Sequence, residues 1–146
     1  MALAPNVNPI VSGYFCTWVY VKKVSGRENA FSGGIPDIMP IPIAHGEGRF
    51  VTKDKKLIAD LEKNGQILFK YCDENGNVAD RYPINPNGAA SNIAGIINPG
   101  GNVLAMMPHP ERASWMHQVP GHIKEGEAPG PGRKIFESMR DYLLKC

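Results

Sequence analysis

The sequence lacks the features that mark several specialised classes of protein. Its three cysteines are far apart and form no Cys-x-x-Cys pair, so no zinc or redox signature is present. An odd, sparse cysteine count favours a reducing cytoplasm over a disulfide framework. No apolar run approaches the roughly 20 residues of a membrane-spanning helix, and the first residues resemble neither a signal nor a transit peptide. The formal net charge is only +2, so neither nucleic acid nor a membrane surface is predicted as a partner.

The sequence is instead rich in glycine and proline. With 16 glycines and 13 prolines these two types make about a fifth of the 146 residues, against a usual share of roughly 12%. They are not periodic, and they separate apolar segments. We therefore predict a loop-rich α/β fold in one domain over residues 1–146.

Apolar periodicity and turn residues predict the secondary structure. Predicted strands are residues 13–24, 38–44, 66–71, 78–82, 93–98 and 102–107, and predicted helices are residues 53–64 and 133–145. Pro40 and Pro42 would remove ladder donors on one side, which predicts an edge strand. Thr52 is the expected N-cap of the first helix. Residues 113–132 are expected to form a mobile loop.

A histidine and a glutamate lie two positions apart after the last predicted strand. His109 and Glu111 alternate with Pro108 and Pro110, which predicts a stiff, extended segment. In extended chain, residues i and i+2 point to the same side. The pair could therefore face one site as a general base and its orienting carboxylate. The alternative is a capped turn after a core strand, with a hydrogen-bonded and inert His109.

A second polar group follows the predicted edge strand. His45, Glu47 and Arg49 are interleaved with glycines, which permit close approach of the backbone. Polar residues at a strand end are typical of a binding site. The alternative is a tight turn with solvated charges.

Four segments carry a resemblance to a known family. They are residues 39–49, 85–96, 102–112 and 132–139, which stand in the family's order and at compatible spacing. Together they resemble the glutaminase subunits of phosphoribosylformylglycinamidine synthase, which are class I, triad-type glutamine amidotransferases of purine biosynthesis. The Pro-His-Pro-Glu motif is shared across class I, whereas Ala-His-Gly-Glu-Gly-Arg and Asn-Pro-Asn-Gly narrow the resemblance to this member. It extends from about residue 5 to residue 142.

The resemblance implies both a fold and an activity. The implied fold is the carboxy-terminal portion of a flavodoxin-like amidotransferase domain, with a mixed sheet of about six to seven strands and two main helices. His109 would be the base of a Cys-His-Glu triad, and Glu111 would orient it. A thiolate would attack the side-chain amide of glutamine, release ammonia and leave a thioester that water hydrolyses to glutamate. His45, Glu47 and Arg49 would lie near the glutamine pocket or at a subunit contact.

The implied partner is the synthetase subunit of the same enzyme. It would use the ammonia with ATP and Mg²⁺, so no cofactor is expected in this subunit. The resemblance also allows for a small third subunit.

The family's nucleophile is missing from the sequence. It sits in a Gly-x-Cys-x-Gly elbow, and none of Cys16, Cys72 and Cys146 has that context. Cys16 lies in an aromatic strand and does not match the catalytic position. We therefore expect a partial domain without its amino-terminal half, inactive unless a separate chain supplies the elbow. An uncovered sheet edge also predicts self-association.

Two alternative functions remain open. The chain could be a non-catalytic interaction module that docks on the synthetase. It could also be a metal-binding domain that uses its histidines, which are His45, His109, His117 and His122. We predict no metal site, because zinc ligands usually form closer pairs than these.

Overall fold

The computed structural model describes residues 1–7 and 13–145. Its strands are β1 (Ala2–Ala4), β2 (Phe15–Lys23), β3 (Ile38–His45), β4 (Arg49–Val51), β5 (Ile67–Cys72), β6 (Ile93–Ile97) and β7 (Leu104–Met106). Its α-helices are α1 (Lys55–Lys63) and α2 (Arg133–Leu143). Short 3₁₀ turns lie at Ala90–Asn92, Pro110–Ala113, Met116–Gln118 and Ile123–Glu125.

The strands form one large and one small sheet. The large sheet has the order β3-β2-β5-β6-β7, and β1 pairs with β4 in the small one. The α/β class, the number of strands and the two helices are confirmed. The expected single mixed sheet is corrected, because every described strand pair is antiparallel. Two parallel neighbours in one sheet must be joined by a crossover connection, usually a helix. Helix α1 lies between two strands in the chain, but it connects β4 of the small sheet to β5 of the large one. It therefore provides no crossover within a sheet.

Strand β3 is an edge strand, as its prolines predict. Among the described strands only β2 pairs with it, and Pro40 and Pro42 stand opposite Tyr20 and Trp18. Proline has no N–H to donate, so it is tolerated where the missing donor would face away from the sheet. The outer side of β3 therefore offers carbonyl acceptors but lacks two donors.

The main core lies between the sheet and α2. Its members include Val21, Ile41 and Phe69 from three neighbouring strands, with Ile135 from the helix. Helix α2 places fewer apolar side chains in this core than its sequence pattern predicts. Its other apolar side chains divide into Met139 and Tyr142, which pack against the core, and Phe136 and Leu143, which are 42% and 69% exposed.

Two local predictions are wrong. Asp54 caps α1 in place of Thr52, because its carboxylate accepts from the backbone N–H groups of Lys56 and Leu57. Residues 78–82 form no strand. Strand β5 is already paired with β2 on one side and β6 on the other, so a strand returning from the turn at residues 73–77 has no free edge to join.

The segment at residues 113–132 is more regular than a simple loop. Backbone hydrogen bonds join its two ends, from Met116 N–H to the Ala128 carbonyl at 2.8 Å and from Gly130 N–H to the Ser114 carbonyl at 2.9 Å. Its expected mobility stays a prediction. Within residues 1–7 and 13–145, no helix has the length and apolar character needed to cross a bilayer.

Candidate functional site

His109 and Glu111 are in direct contact. His109 has an extended backbone, with φ −103° and ψ 92°, and Pro110 opens the 3₁₀ turn that contains Glu111. Nδ1 of His109 lies 2.7 Å from Oε1 of Glu111. The sequence predicted that the two side chains face one site, but it placed both in extended chain. The turn forms because proline is well suited to the first position of a helical turn, where its missing N–H has no partner to lose.

The contact fixes which nitrogen of His109 can act as a base. A carboxylate only accepts hydrogen bonds, so Nδ1 carries the proton and Nε2 keeps its lone pair. Nε2 makes no hydrogen bond within the part of the chain that the structure describes. The His109 side chain is 30% exposed, so this lone pair is accessible. The arrangement is that of a general base oriented by a carboxylate.

The backbone of His109 is attached to the edge of the large sheet. Its N–H donates to the carbonyl of Pro42 at 2.8 Å. This bond occupies the outer side of β3, which its prolines keep free of strand pairing. His109 is thus positioned by the edge of the large sheet as well as by its own turn.

Gly132 supports the same turn from the other side. Its N–H donates to the carbonyl of Ala113 at 2.8 Å, and a Cβ added to Gly132 would lie 2.1 Å from the carbonyl oxygen of Pro110. The turn can approach α2 this closely only because residue 132 has no side chain. Sequence reasoning missed this role, since the packing depends on tertiary structure.

The three residues of the second polar group have different environments. His45 ends β3, and its Nδ1 lies 3.0 Å from Oδ1 of Asn6. Arg49 begins β4 and donates through Nε to the carbonyl of Pro5 at 2.9 Å. Glu47 is exposed in the turn between them. His45 and Arg49 therefore bind the amino-terminal arm, which is residues 1–7. Of the three residues, only Glu47 fits the alternative of a turn with solvated charges.

His45 is also electrostatically linked to His109. Burial lowers the pKa of His45 below its ordinary value of 6.5; a backbone hydrogen bond opposes this, and the charge of His109 lowers the pKa further. Sequence reasoning selected His45 but missed Asn6, which stands in a Pro- and Asn-rich opening that reads as a loop or an arm.

Neither described cysteine is placed as the nucleophile of this base. Cys16 is exposed on β2 opposite Ala44, so strand β3 separates it from the His109 segment. Cys72 is buried on β5, and burial raises the pKa of its thiol to about 11, so the reactive thiolate is scarce at neutral pH. Cys146 lies outside the described residues.

The remaining two histidines have local partners. Nδ1 of His117 lies 2.9 Å from the carbonyl oxygen of Gly126, and Nδ1 of His122 lies 2.6 Å from Oε1 of Glu125. The residues that the structure describes contain no group of three or more metal-ligating side chains. Nothing in that region therefore supports the metal-binding alternative.

Comparisons with known proteins agree on one family. A family model described as a CobB/CobQ-like glutamine amidotransferase domain matches residues 5–143. A relative from Methanothrix thermoacetophila, named phosphoribosylformylglycinamidine synthase subunit PurQ, is 43% identical over 98% of this chain and 58% of its own length. The Aquifex aeolicus protein of the same name is 48% identical over 77% of this chain and 48% of its own length.

A solved structure extends the agreement to the fold. In the structure of PurLQS from Thermotoga maritima, one chain matches with a TM-score of 0.64 and 31% identity, covering 97% of this chain and 52% of that one. The chain therefore spans about half the length of the relatives that it matches.

Proposed function

We propose that this chain, which belongs to the family of CobB/CobQ-like glutamine amidotransferase domains, supplies the general base of a glutaminase that provides ammonia to phosphoribosylformylglycinamidine synthase in purine biosynthesis. The observation that carries the proposal is the 2.7 Å contact between His109 Nδ1 and Glu111 Oε1, with Nε2 left unbonded among the described residues. The names of the relatives supply the choice of substrate and pathway.

In the proposed reaction His109 transfers protons, and the cysteine thiol of a separate polypeptide forms the covalent bond to glutamine. Nε2 removes the thiol proton, and the sulfur attacks the carboxamide carbon of glutamine. The imidazolium gives its proton to the leaving nitrogen, so ammonia departs and a thioester remains. Nε2 then takes a proton from water, whose oxygen attacks the thioester; the carbon–sulfur bond breaks, and the imidazolium returns its proton to the sulfur to give glutamate and the free thiol. Glu111 stabilises the imidazolium that forms in each half of the cycle.

The proposed partners follow from this division of labour. A polypeptide with the Gly-x-Cys-x-Gly elbow provides the thiol, and a synthetase subunit, with a small third subunit where one exists, receives the ammonia. The ATP and Mg²⁺ belong to the synthetase, and this chain carries no cofactor. The sparse, unpaired cysteines favour the cytoplasm as the location.

The test is a reconstitution. The chain is mixed with an elbow-bearing amino-terminal half from the Methanothrix relative and with a synthetase, and glutamate release is measured. We expect no release from the chain alone, release from the mixture, and loss of about 10²–10⁴-fold on His109→Ala, the usual contribution of a general base. His122→Ala is the matched control, because His122 also bonds a glutamate through Nδ1 but lies outside the proposed site.

Each other outcome has a distinct meaning. Release by the chain alone that His109→Ala abolishes would show that the chain holds its own nucleophile. Release from the mixture that is insensitive to His109→Ala would refute the catalytic role of the pair. Binding to the synthetase without any release would favour the non-catalytic interaction module.

Self-association is a further part of the proposal. Strand β7 ends the large sheet and is paired only with β6 among the described residues, and an unpaired edge is a template for another chain. Light scattering at micromolar concentration should show species larger than the 15.9 kDa chain. A monodisperse monomer would contradict this expectation.

A further inference from the structure

The amino-terminal arm is attached to the site through one side chain. The backbone N–H of Asn6 donates to the Gly46 carbonyl at 2.8 Å. Its side-chain Nδ2 donates to the carbonyls of His45, at 2.6 Å, and Gly13, at 3.0 Å. Its Oδ1 lies 3.0 Å from Nδ1 of His45. Asn6 thus binds both the backbone and the ring of His45.

These bonds determine where the proton of the His45 ring lies. Carbonyl oxygens only accept hydrogen bonds, so the amide nitrogen of Asn6 must face the two carbonyls. Its oxygen must then face His45, and an amide oxygen only accepts. Nδ1 of His45 therefore carries the proton, and Nε2 carries a lone pair.

The rest of the His45 ring is enclosed by the protein. Nε2 of His45 is buried and has no hydrogen-bond partner among residues 1–7 and 13–145, and a Cβ added to Gly48 would lie 2.3–2.4 Å from three ring atoms. Protonation of Nε2 would leave a charged donor buried without a partner, which is costly. The ring is held in one orientation and favours the neutral form.

Strand β3 connects this ring to the base. His109 donates its N–H to Pro42, three residues before His45 on the same strand. The elements around His45 carry ionisable residues on β2, on β4 and in the turn of His109, which are Cys16, Tyr20, Lys22, Lys23, Arg49, His109, Glu111 and Arg112. Among these, His109 is the residue whose charge lowers the pKa of His45.

We propose that Asn6 locks His45 in the Nδ1-protonated tautomer and that His45, held in this way, is a positioning residue for His109. A neutral His45 leaves His109 as the imidazole that can accept a proton without repulsion from its neighbour. The role rests on the proposed function, since it matters for catalysis only if His109 is the base. The tautomer lock itself can be measured without any activity.

The experiment is NMR on the ¹⁵N-labelled full chain, with long-range ¹H–¹⁵N correlations of the imidazole rings recorded across a pH titration. In the wild type we expect His45 as the Nδ1–H tautomer, with a titration midpoint below that of a free imidazole. In Asn6→Ala the Nδ1 partner is gone, so the share of the Nε2–H tautomer of His45 should increase. A His45 ring that is Nε2–H in the wild type, or unchanged in Asn6→Ala, would overturn the proposal.

Asn6→Asp adds a negative charge beside His45 and keeps an acceptor for Nδ1, although it loses the two bonds that Nδ2 donates. The carboxylate still accepts from Nδ1 but favours the imidazolium, so the His45 midpoint should rise and the His109 midpoint should fall. Unchanged midpoints for both rings would also refute the proposal. Asn75→Ala is the matched control: Asn75 neighbours Gly76, whose added Cβ would meet Ile38 at the end of β3 opposite His45, and the variant should leave both rings unaffected.

The two proposals fail in different ways. A confirmed tautomer lock with no glutaminase in the reconstituted mixture would refute the proposed function and leave the lock standing. Active mixtures with a His45 ring indifferent to Asn6 would do the reverse.

Discussion

A single methyl group at Gly132 should disturb the candidate site from outside it. The Cβ of Gly132→Ala would lie 2.1 Å from the oxygen, 2.8 Å from the carbonyl carbon and 2.9 Å from the Cα of Pro110. Pro110 stands between His109 and Glu111 in the chain. The clash is with backbone, which cannot rotate away as a side chain would.

The size of the effect follows from the required displacement. Real Cβ contacts are essentially never shorter than 3.0 Å, so the turn and the start of α2 must separate by about 1 Å. Overpacking of this kind costs about 1–3 kcal/mol of folding free energy. A chain of 146 residues has an unfolding entropy of about 0.3 kcal/mol/K, so Tm should fall by about 3–10 °C. If His109 and Glu111 act as proposed, a displacement near 1 Å should also reduce reconstituted glutaminase by about 10²-fold.

The assay compares two alanine variants by thermal unfolding and by the ring signals of His109. Gly26→Ala is the control, because its added Cβ would have no atom within 4 Å, and its Tm should stay within about 2 °C of the wild type, as is usual for surface substitutions. If Gly132→Ala matches Gly26→Ala in Tm and leaves His109 unshifted, then the contact with Pro110 does not hold the turn.

Three smaller predictions test other contacts. Asp54→Ala should cost about 0.5–2 kcal/mol by chemical denaturation and more than Thr52→Ala, because Asp54 accepts both capping bonds of α1. Ser138→Ala should cost about 1–3 kcal/mol, since its Oγ donates to the Ala30 carbonyl and accepts from the Gly33 N–H, and both would lose their partner. Because folding lowers the pKa of His45, the unfolded chain binds more protons than the folded chain as the pH falls through 6.5. The free energy of unfolding is therefore highest, as far as His45 is concerned, above that pH, and it decreases as the pH falls. His45→Asn should flatten this part of a plot of urea-unfolding free energy against pH.

The local sequence pattern was sufficient to predict those elements in which a residue type has a single structural consequence. Strand β2 follows from its β-branched and aromatic run, and the edge position of β3 follows from Pro40 and Pro42. The pairing of β6 with β7 follows from the Pro-Gly-Gly between them. The contact of His109 with Glu111 was also predicted, although through extended geometry rather than a turn.

Pattern was insufficient where a residue acts through a distant partner. Asn6 meets His45 across 39 positions of sequence, and Gly132 meets Pro110 through the packing of α2 on the turn. Nothing local marks either residue. Phe136 belongs to the apolar stripe of α2 and is nevertheless half exposed, because the helix presents only its Ile135 side fully to the core.

The prolines of β3 link the fold to the proposed chemistry. An ordinary edge strand offers donors and acceptors alternately, so another strand can pair with it. Without the N–H groups of Pro40 and Pro42 the outer edge of β3 can accept but not complete a ladder. The N–H of His109 uses one of these acceptors, the Pro42 carbonyl, and strand β3 then ends in His45, whose ring Asn6 orients. The same strand that blocks edge pairing therefore positions both His45 and the backbone of His109.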